Sequence, residues 1–328
     1  MKRIPCLFDE ICSYDNLLAA FYNAAKGKRG KKEVIRFSSR LEENIAQLRK
    51  SLLSGIPPVG NYHYFEIFDP KRRMICAAAF EERIIHHAII NVCQPVFDRN
   101  LIANTFATRK GKGVYQAIDK AMTLMRRCRF VAKLDFKKYY DSIDHLVLKR
   151  KLARIFKDHK LLLLLERIID SYSVTEGKGL PIGNLTSQYF ANLYLSDIDH
   201  AATEKLHAKG YVRYMDDILL FGDSQPIVKK LVKNIDLMAN STALTLKSPI
   251  IGKTENGINY LGYRLFPHHF VLAGRSKRRY RQKIRLYTRL FNMGEWSERE
   301  YALHLTPLAA FAAHGNNYKF RMTCQSLR

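Results

Sequence analysis

No apolar run in this 328-residue chain is long enough to cross a bilayer. A span needs ~18–20 apolar residues, and the longest stretches, 161–165 and 308–313, fall far short. The start is basic at Lys2 and Arg3, but Asp9 and Glu10 interrupt anything like a secretory leader, so none is expected. Cysteine is sparse. Cys6, Cys12, Cys76, Cys93, Cys128 and Cys324 include no C-x-x-C pair and no zinc-site spacing with histidine. They read as free thiols in a reducing cytosol, most of them small buried hydrophobes, and a cytoplasmic location is expected. Acidic residues are few, 30 Asp+Glu against 55 Lys+Arg, which leaves a formal charge of +25. That excess repels itself in the compact state and points to a polyanionic partner, nucleic acid above all. No strongly amphipathic Lys/Arg-plus-Trp helix supports a membrane-surface role. Repeats and low-complexity linkers are absent as well. What remains, 47% hydrophobic and 26% charged, describes a folding globular chain with room for two compact units.

The basic residues are clustered. Lys26-Gly27-Lys28-Arg29-Gly30-Lys31-Lys32 and Arg109-Lys110-Gly111-Lys112-Gly113 read as charged loops. Residues 275–289 hold eight Lys/Arg with Tyr280 and Tyr287 between them, the pattern of a helix with a cationic face for phosphate contact. Periodicity predicts helices at 37–53, 81–96, 115–127, 145–156, 161–172, 185–206 and 235–246, and mostly helix from 275 onward. Strands are predicted at 62–68, 74–79, 130–136 and 258–265, with a turn at 69–72 and a tight hairpin over 211–222. A few strands among many helices, without regular βαβ repetition, indicate an α+β fold. The five leucines at 161–165 read as a core helix. Adjacent histidines at 86–87 and 268–269 point to different sides of their elements and are not read as metal ligands.

Two apolar strands end on acids. Residues 211–222 place Asp216-Asp217 between strand-like arms, and 130–136 deliver Asp135 at a strand end. A carboxylate at the mouth of an apolar strand needs a partner cation. Three such groups converging would form a hard-oxygen site suited to Mg²⁺. Two such ions ~4 Å apart serve in-line phosphoryl displacement. On chemistry alone the chain is a metal-dependent enzyme acting on phosphodiesters or nucleoside triphosphates, with polymerase and nuclease both open.

Tyr214-Met215-Asp216-Asp217 resembles the YxDD signature of reverse transcriptases. The order of an Asp-bearing strand, a Gly/Ser loop with a long helix, YMDD and then Tyr260-Leu261-Gly262-Tyr263 is similar to palm motifs A, B, C and E of that family, over about residues 65–267. Motif B usually reads Gln-Gly-x-x-x-Ser-Pro; here it reads Ile182-Gly183-Asn184-Leu185-Thr186-Ser187-Gln188. That form resembles diversity-generating retroelement reverse transcriptases, as do residues 80–88 and 258–267. The resemblance implies a right-hand polymerase fold: a helical, basic extension at 1–60, fingers and palm (with an RRM-like antiparallel sheet) at 61–267, and a short helical basic thumb at 268–328. No protease, RNase H, integrase or HNH-type extension is expected in the remaining length.

The resemblance also implies roles. Asp135, Asp216 and Asp217 would be catalytic and, with the Phe136 carbonyl, would hold two Mg²⁺, Mn²⁺ being the alternative. Tyr140 would be a steric gate against ribonucleotides. Lys71, Arg72 and Arg73, with Arg73 the strongest of the three, and the backbone of Lys137, Lys138 and Tyr139 would meet the triphosphate. Ile182 would pack against the nascent base pair, where the usual Gln hydrogen-bonds, which loosens selection opposite template adenine. Gly183, Tyr214, Met215, Leu261 and Gly262 would line template and primer, Leu261 and Gly262 as primer grip. Implied partners are template RNA, cDNA or primer, dNTPs, a structured retroelement RNA and a small basic accessory variability protein, with no membrane. Two other readings stand beside this one: a retron, group II intron-like or defence-associated reverse transcriptase, and a catalytically inactive RNA-binding protein on a polymerase fold.

Overall fold

The computed structural model describes residues 3–68 and 72–325. Among the described residues nine strands form three antiparallel sheets. β1 (Tyr62–Ile67) pairs with β2 (Arg73–Ala78) in a two-stranded ribbon. β3 (Phe130–Leu134), β4 (Gly210–Tyr214), β5 (Asp217–Gly222) and β6 (Ile250–Lys253) form a sheet in the order β4-β5-β3-β6. β7 (Ile258–Tyr260), β8 (Tyr263–Leu265) and β9 (Phe270–Leu272) form a meander.

β3, β4 and β5 are buried on both faces, which is why, Lys133, Arg213 and Asp217 apart, they run apolar rather than alternating. One face, through Ala132, Leu134, Ile218 and Leu220, joins a large core with the helices Phe80–Arg99, Leu185–Tyr194 and Gln225–Asn240. The other, through Val131, Val212, Leu219 and Phe221, joins a second core with the Val114–Arg127 helix and the β7–β9 meander. Register carries the acids to one end: Leu134 lies opposite Ile218 and Tyr214 opposite Asp217. Asp135 leaves β3 at the end where the β4–β5 turn stands.

Local chemistry sets the helix starts. Ser13, Asp144, Asp158 and Ser297 cap helices through their side chains, Ser297 in a reciprocal box with Glu300. The Asp158 carboxylate also accepts the N–H groups of Leu7 and Phe8, tying the chain's first helix to the Leu161 region. The leucine run is a core helix: Leu161, Leu164, Leu165, Ile168 and Ile169 are buried while Leu163 faces out. Five of the six cysteines are buried and Cys6 is exposed.

Several expectations need correction. The helix expected at 37–53 is two, Lys32–Ser38 and Leu41–Leu53, broken where Arg40 adopts a non-helical backbone. The helix expected at 185–206 is Leu185–Tyr194, then Ser196–His200, then a π turn Ala201–Lys205. The helix placed at 235–246 runs Gln225–Asn240 instead; Pro226 favours its first turn, and the segment after it turns back so that Leu246 bridges Phe136. The strand at 258–265 is a hairpin, because Leu261 (φ 48°) and Gly262 (φ 88°) both take the left-handed backbone of a tight turn. The turn expected at 69–72 lies, except for Arg72, outside the described residues. The C-terminal basic run is the Gly274–Asn292 helix; it buries Tyr280, Ile284 and Thr288 and leaves Arg278, Arg281, Arg285 and Arg289 exposed. No helix among the described residues is long and apolar enough to cross a membrane.

Candidate active site

The β4–β5 hairpin turns at Met215 and Asp216. Met215 has φ 53°, at a position where glycine is usual. Asp216 is half-buried, and burial first, then the charges of Asp217 and Asp135, push its carboxyl up to about 6. Repulsion from both neighbours means that the three acids share one electrostatic neighbourhood. Lysines supply the counter-charge: Lys247 Nζ lies 2.5 Å from Asp135 and Lys133 Nζ 3.0 Å from Asp217. Among the described residues no three Asp, Glu, His or Cys side chains are gathered as a ready metal-holding group. Two of the three carboxylates are turned to ammonium groups instead.

The donor set still fits a divalent ion. It consists of hard oxygens, its like charges raise the Asp216 carboxyl, a cost a bound cation would relieve, and Asp135 and Asp217 already draw cationic ammonium groups. The buried Tyr260 hydroxyl has no hydrogen-bond partner among the described residues, and the Asp217 charge acts on it, so the cluster has polar capacity to spare.

Tyr140 is half-buried against the main core, edge-on to Tyr139 with ring centroids 5.8 Å apart. After burial, the Asp216 charge is the main influence raising its hydroxyl pKa, and Arg73 opposes it. The charges of Asp216 and Arg73 both act on the Tyr140 hydroxyl. The Arg72 guanidinium is clamped to Glu66 at 2.7–3.0 Å. Lys71 lies outside the described residues. Lys137 donates its N–H to the Thr245 carbonyl at 2.8 Å, so that group is not free for a triphosphate, contrary to expectation. Lys138 takes a left-handed backbone (φ 43°). The Tyr139 side chain is buried, and its hydroxyl donates to the Ala191 carbonyl. Phe136 is fully buried.

Ile182 and Gly183 lie beside β2. The Cys76 N–H donates to the Ile182 carbonyl at 3.0 Å, and the Ala78 N–H to the Asn184 side chain at 3.3 Å. Gly183 has φ 128°, and a Cβ there would stand 3.1 Å from Ile75 Cγ2 and 3.2 Å from the Cys76 carbonyl. The close approach this glycine permits is thus to β2. Behind the loop, Thr186 contacts His86 at 3.1 Å, and His86 contacts the buried Glu82 at 3.2 Å. Ser187 is buried and caps nothing through its side chain. Gly262 similarly serves packing: a Cβ there would stand 2.9 Å from the Phe311 ring of the Glu298–Ala313 helix. Tyr214 and Leu261 pack at the edge of the second core.

Sequence reasoning missed four residues around the turn. Lys133 is on the same strand face as Asp135, and its register partner Leu219 makes Asp217 its diagonal neighbour, so strand alternation was the available signal. Lys247, Arg213 and Asp199 had no local signal beyond a charge in an apolar context. Arg213 and Asp199 are wholly buried and paired.

The fold is of the right-hand polymerase kind. Apo telomerase from Candida tropicalis superimposes with a TM-score of 0.51 at 13% identity, over 64% of this chain and 48% of that one. In sequence, the profile of the reverse transcriptase (RNA-dependent DNA polymerase) family matches residues 69–265. The chain belongs to that family. It is 24% identical over 180 residues to Protein YkfC of Escherichia coli K12, covering 51% of this chain and 47% of YkfC. It is 22% identical over 246 residues to the putative COX1/OXI3 intron 1 protein of Saccharomyces cerevisiae, covering 56% of this chain and 30% of that protein. The chain thus spans less than half the length of these relatives.

Proposed function

We propose that the chain is an RNA-directed DNA polymerase that adds dNTPs to a primer 3′-OH, of the diversity-generating kind that copies template adenines inaccurately. The observation that carries the catalytic reading is the acid cluster at the sheet end, where the β4–β5 turn and the end of β3 meet and where burial, then the charges of Asp217 and Asp135, raise the carboxyl of Asp216 to about 6. Asp135, Asp216 and Asp217, with the Phe136 carbonyl, would hold two Mg²⁺, or Mn²⁺ in their place. Bound there, such ions stabilise the attacking and leaving oxygens of phosphoryl transfer. Lys133 and Lys247 hold the acids in place until then and are released as cations beside an incoming triphosphate. Arg73 orients the triphosphate with its guanidinium. Tyr140 fills the space next to Asp216 and excludes a 2′-hydroxyl. The fingers and palm would be 61–267, the thumb 268–328 and the helical extension 1–60.

Support for the diversity-generating subtype is Ile182 where the family usually has Gln, and Gln188 where it has Pro. Ile182 offers only packing to the nascent pair, so a polar anchor for base selection is missing. Partners would be a structured template RNA and a small basic accessory protein. A second reading, an intron-type reverse transcriptase, is favoured by the similarity to the putative COX1/OXI3 intron 1 protein of Saccharomyces cerevisiae. One experiment separates them: extension of a DNA primer on a defined RNA template with Mg²⁺ and dNTPs, followed by sequencing of the product. Extension with errors concentrated opposite adenine supports the first reading. Extension with uniformly rare errors supports the second, and no extension overturns both.

A further inference from the structure

Beneath the Met215-Asp216 turn lies a guanidinium with every donor used. Arg213 is fully buried at the end of β4. Its Nε donates to Asp199 Oδ1 at 2.7 Å and its Nη2 to Asp199 Oδ2. Nη1 donates to Asn192 Oδ1 at 2.7 Å and Nη2 to the Asn192 carbonyl at 3.0 Å. The fifth N–H, again on Nη1, donates to the Met215 carbonyl at 3.0 Å. A guanidinium has five N–H groups, so none is spare. Arg213 is itself locked by its backbone: its N–H donates to the Asn104 carbonyl, and its carbonyl accepts the Phe106 N–H, both at 3.0 Å. Asn192 in turn donates to the Ala107 carbonyl at 2.9 Å and to Thr108 at 3.2 Å. Tyr211 donates its hydroxyl to Asp199.

A buried ion pair of this kind would normally be read as a fold element. Two observations say more. The Met215 carbonyl belongs to the one residue of the turn held at positive φ, a conformation that persists in a non-glycine residue only where its surroundings over-determine it. And Asn192 sits on the Leu185–Tyr194 helix, which opens directly after Ile182 and Gly183. One side chain therefore registers the carboxylate turn against the helix that follows the nucleotide-side loop.

We infer that Arg213 is a positioning residue: by holding the Met215 carbonyl it fixes the aim of Asp216 and Asp217 relative to the Leu185–Tyr194 helix. The inference rests on the polymerase reading for the use of those carboxylates, but not for the geometry. Lysine in place of Arg213 keeps the charge opposite Asp199 and loses the planar fork. Asn192→Ala leaves the ion pair whole and removes one of the bonds that aim it, and serves if Arg213→Lys does not fold.

The test has two arms. In the first, amide hydrogen exchange over 214–218 is compared in the parent, Arg213→Lys and Asn192→Ala chains, with melting curves as a control for folding. Exchange in the turn is expected to accelerate about tenfold or more in each folded variant while the central strands stay protected. In the second, primer extension is measured for each substitution in the parent and in a Met215→Gly background. Without the strained residue the turn no longer needs to be held. A kcat loss of roughly tenfold at near-constant nucleotide KM in the parent should shrink to under about threefold in the Met215→Gly background. Unchanged exchange in a folded variant overturns the inference whether or not the chain polymerises. So does the same kcat loss in both backgrounds, the result a purely structural arginine would give. Accelerated exchange in a chain whose parent extends no primer overturns the polymerase reading and leaves the positioning role standing.

Discussion

Asp216→Asn should make the protein inactive and more stable at once. Asparagine has the size of the acid and mimics its protonated form. In the folded chain burial, then Asp217 and Asp135, raise this carboxyl from 3.8 to about 6. A raised acid holds its proton more tightly folded than unfolded. Its contribution to stability is therefore fully present below pH ~3.8 and is lost as pH rises through about 6. At ~1.4 kcal/mol per unit that rise corresponds to about 3 kcal/mol at neutral pH, an upper figure because the side chain keeps some contact with water. The variant should thus exceed the parent by about 1–3 kcal/mol at pH 7.5 and match it near pH 3.5. Urea unfolding in metal-free buffer across that range reads this directly. Saturating Mg²⁺ should narrow the gap, since a cation bound only to the folded parent stabilises it by mass action. A variant less stable than the parent at pH 7.5, or a gap independent of pH, would refute the electrostatic account of the turn. The same variant should extend no primer and keep RNA affinity within about threefold, because the exposed arginines of the Gly274–Asn292 helix are untouched.

Tyr140→Val should raise ribonucleotide incorporation in primer extension at little cost to folding, since the ring is only half-buried; unchanged sugar discrimination would remove it as a gate. Ile182→Gln should lower the error rate opposite template adenine in sequenced cDNA, and an identical error spectrum would detach fidelity from this position. Gly183→Ala forces a Cβ to within 3.1 Å of Ile75 at φ 128° and should destabilise by about 1–3 kcal/mol in urea unfolding. RNA affinity should fall steeply with salt, by roughly a thousandfold or more between 50 and 200 mM if six or more phosphates are contacted; a flat dependence would mean the +25 charge serves something else.

How much was legible in the sequence depended on how local the signal was. The hairpin at 211–222 and the strand ending at Asp135 were readable because apolar runs bounded by acids have one economical explanation. The Leu161 helix was readable from i, i+3, i+4 spacing. The 225–240 helix was misplaced because its apolar residues are spread among lysines and no glycine or proline marks its end at Asn240. The 258–265 hairpin was missed because Leu261 takes a positive φ that nothing in a leucine announces. Gly183 and Gly262 were read for approach to nucleic acid; that Ile75, Cys76 and Phe311 also stand against them had no sign in the sequence. Lys247 meets Asp135 across 112 residues of chain, and Arg213 reaches Asp199 only after a strand folds back on a helix. Such contacts exist only in three dimensions.

Divalent cations are proposed to displace Lys247 from Asp135 and Lys133 from Asp217 and to bind Asp216 with them. Binding of Mn²⁺, followed by electron paramagnetic resonance in the presence of primer, template RNA and a non-reactive dNTP analogue, tests this most directly. The account predicts bound Mn²⁺ in the parent chain and its loss in both Asp135→Asn and Asp216→Asn. Equal Mn²⁺ occupancy in the parent and both variants would contradict it.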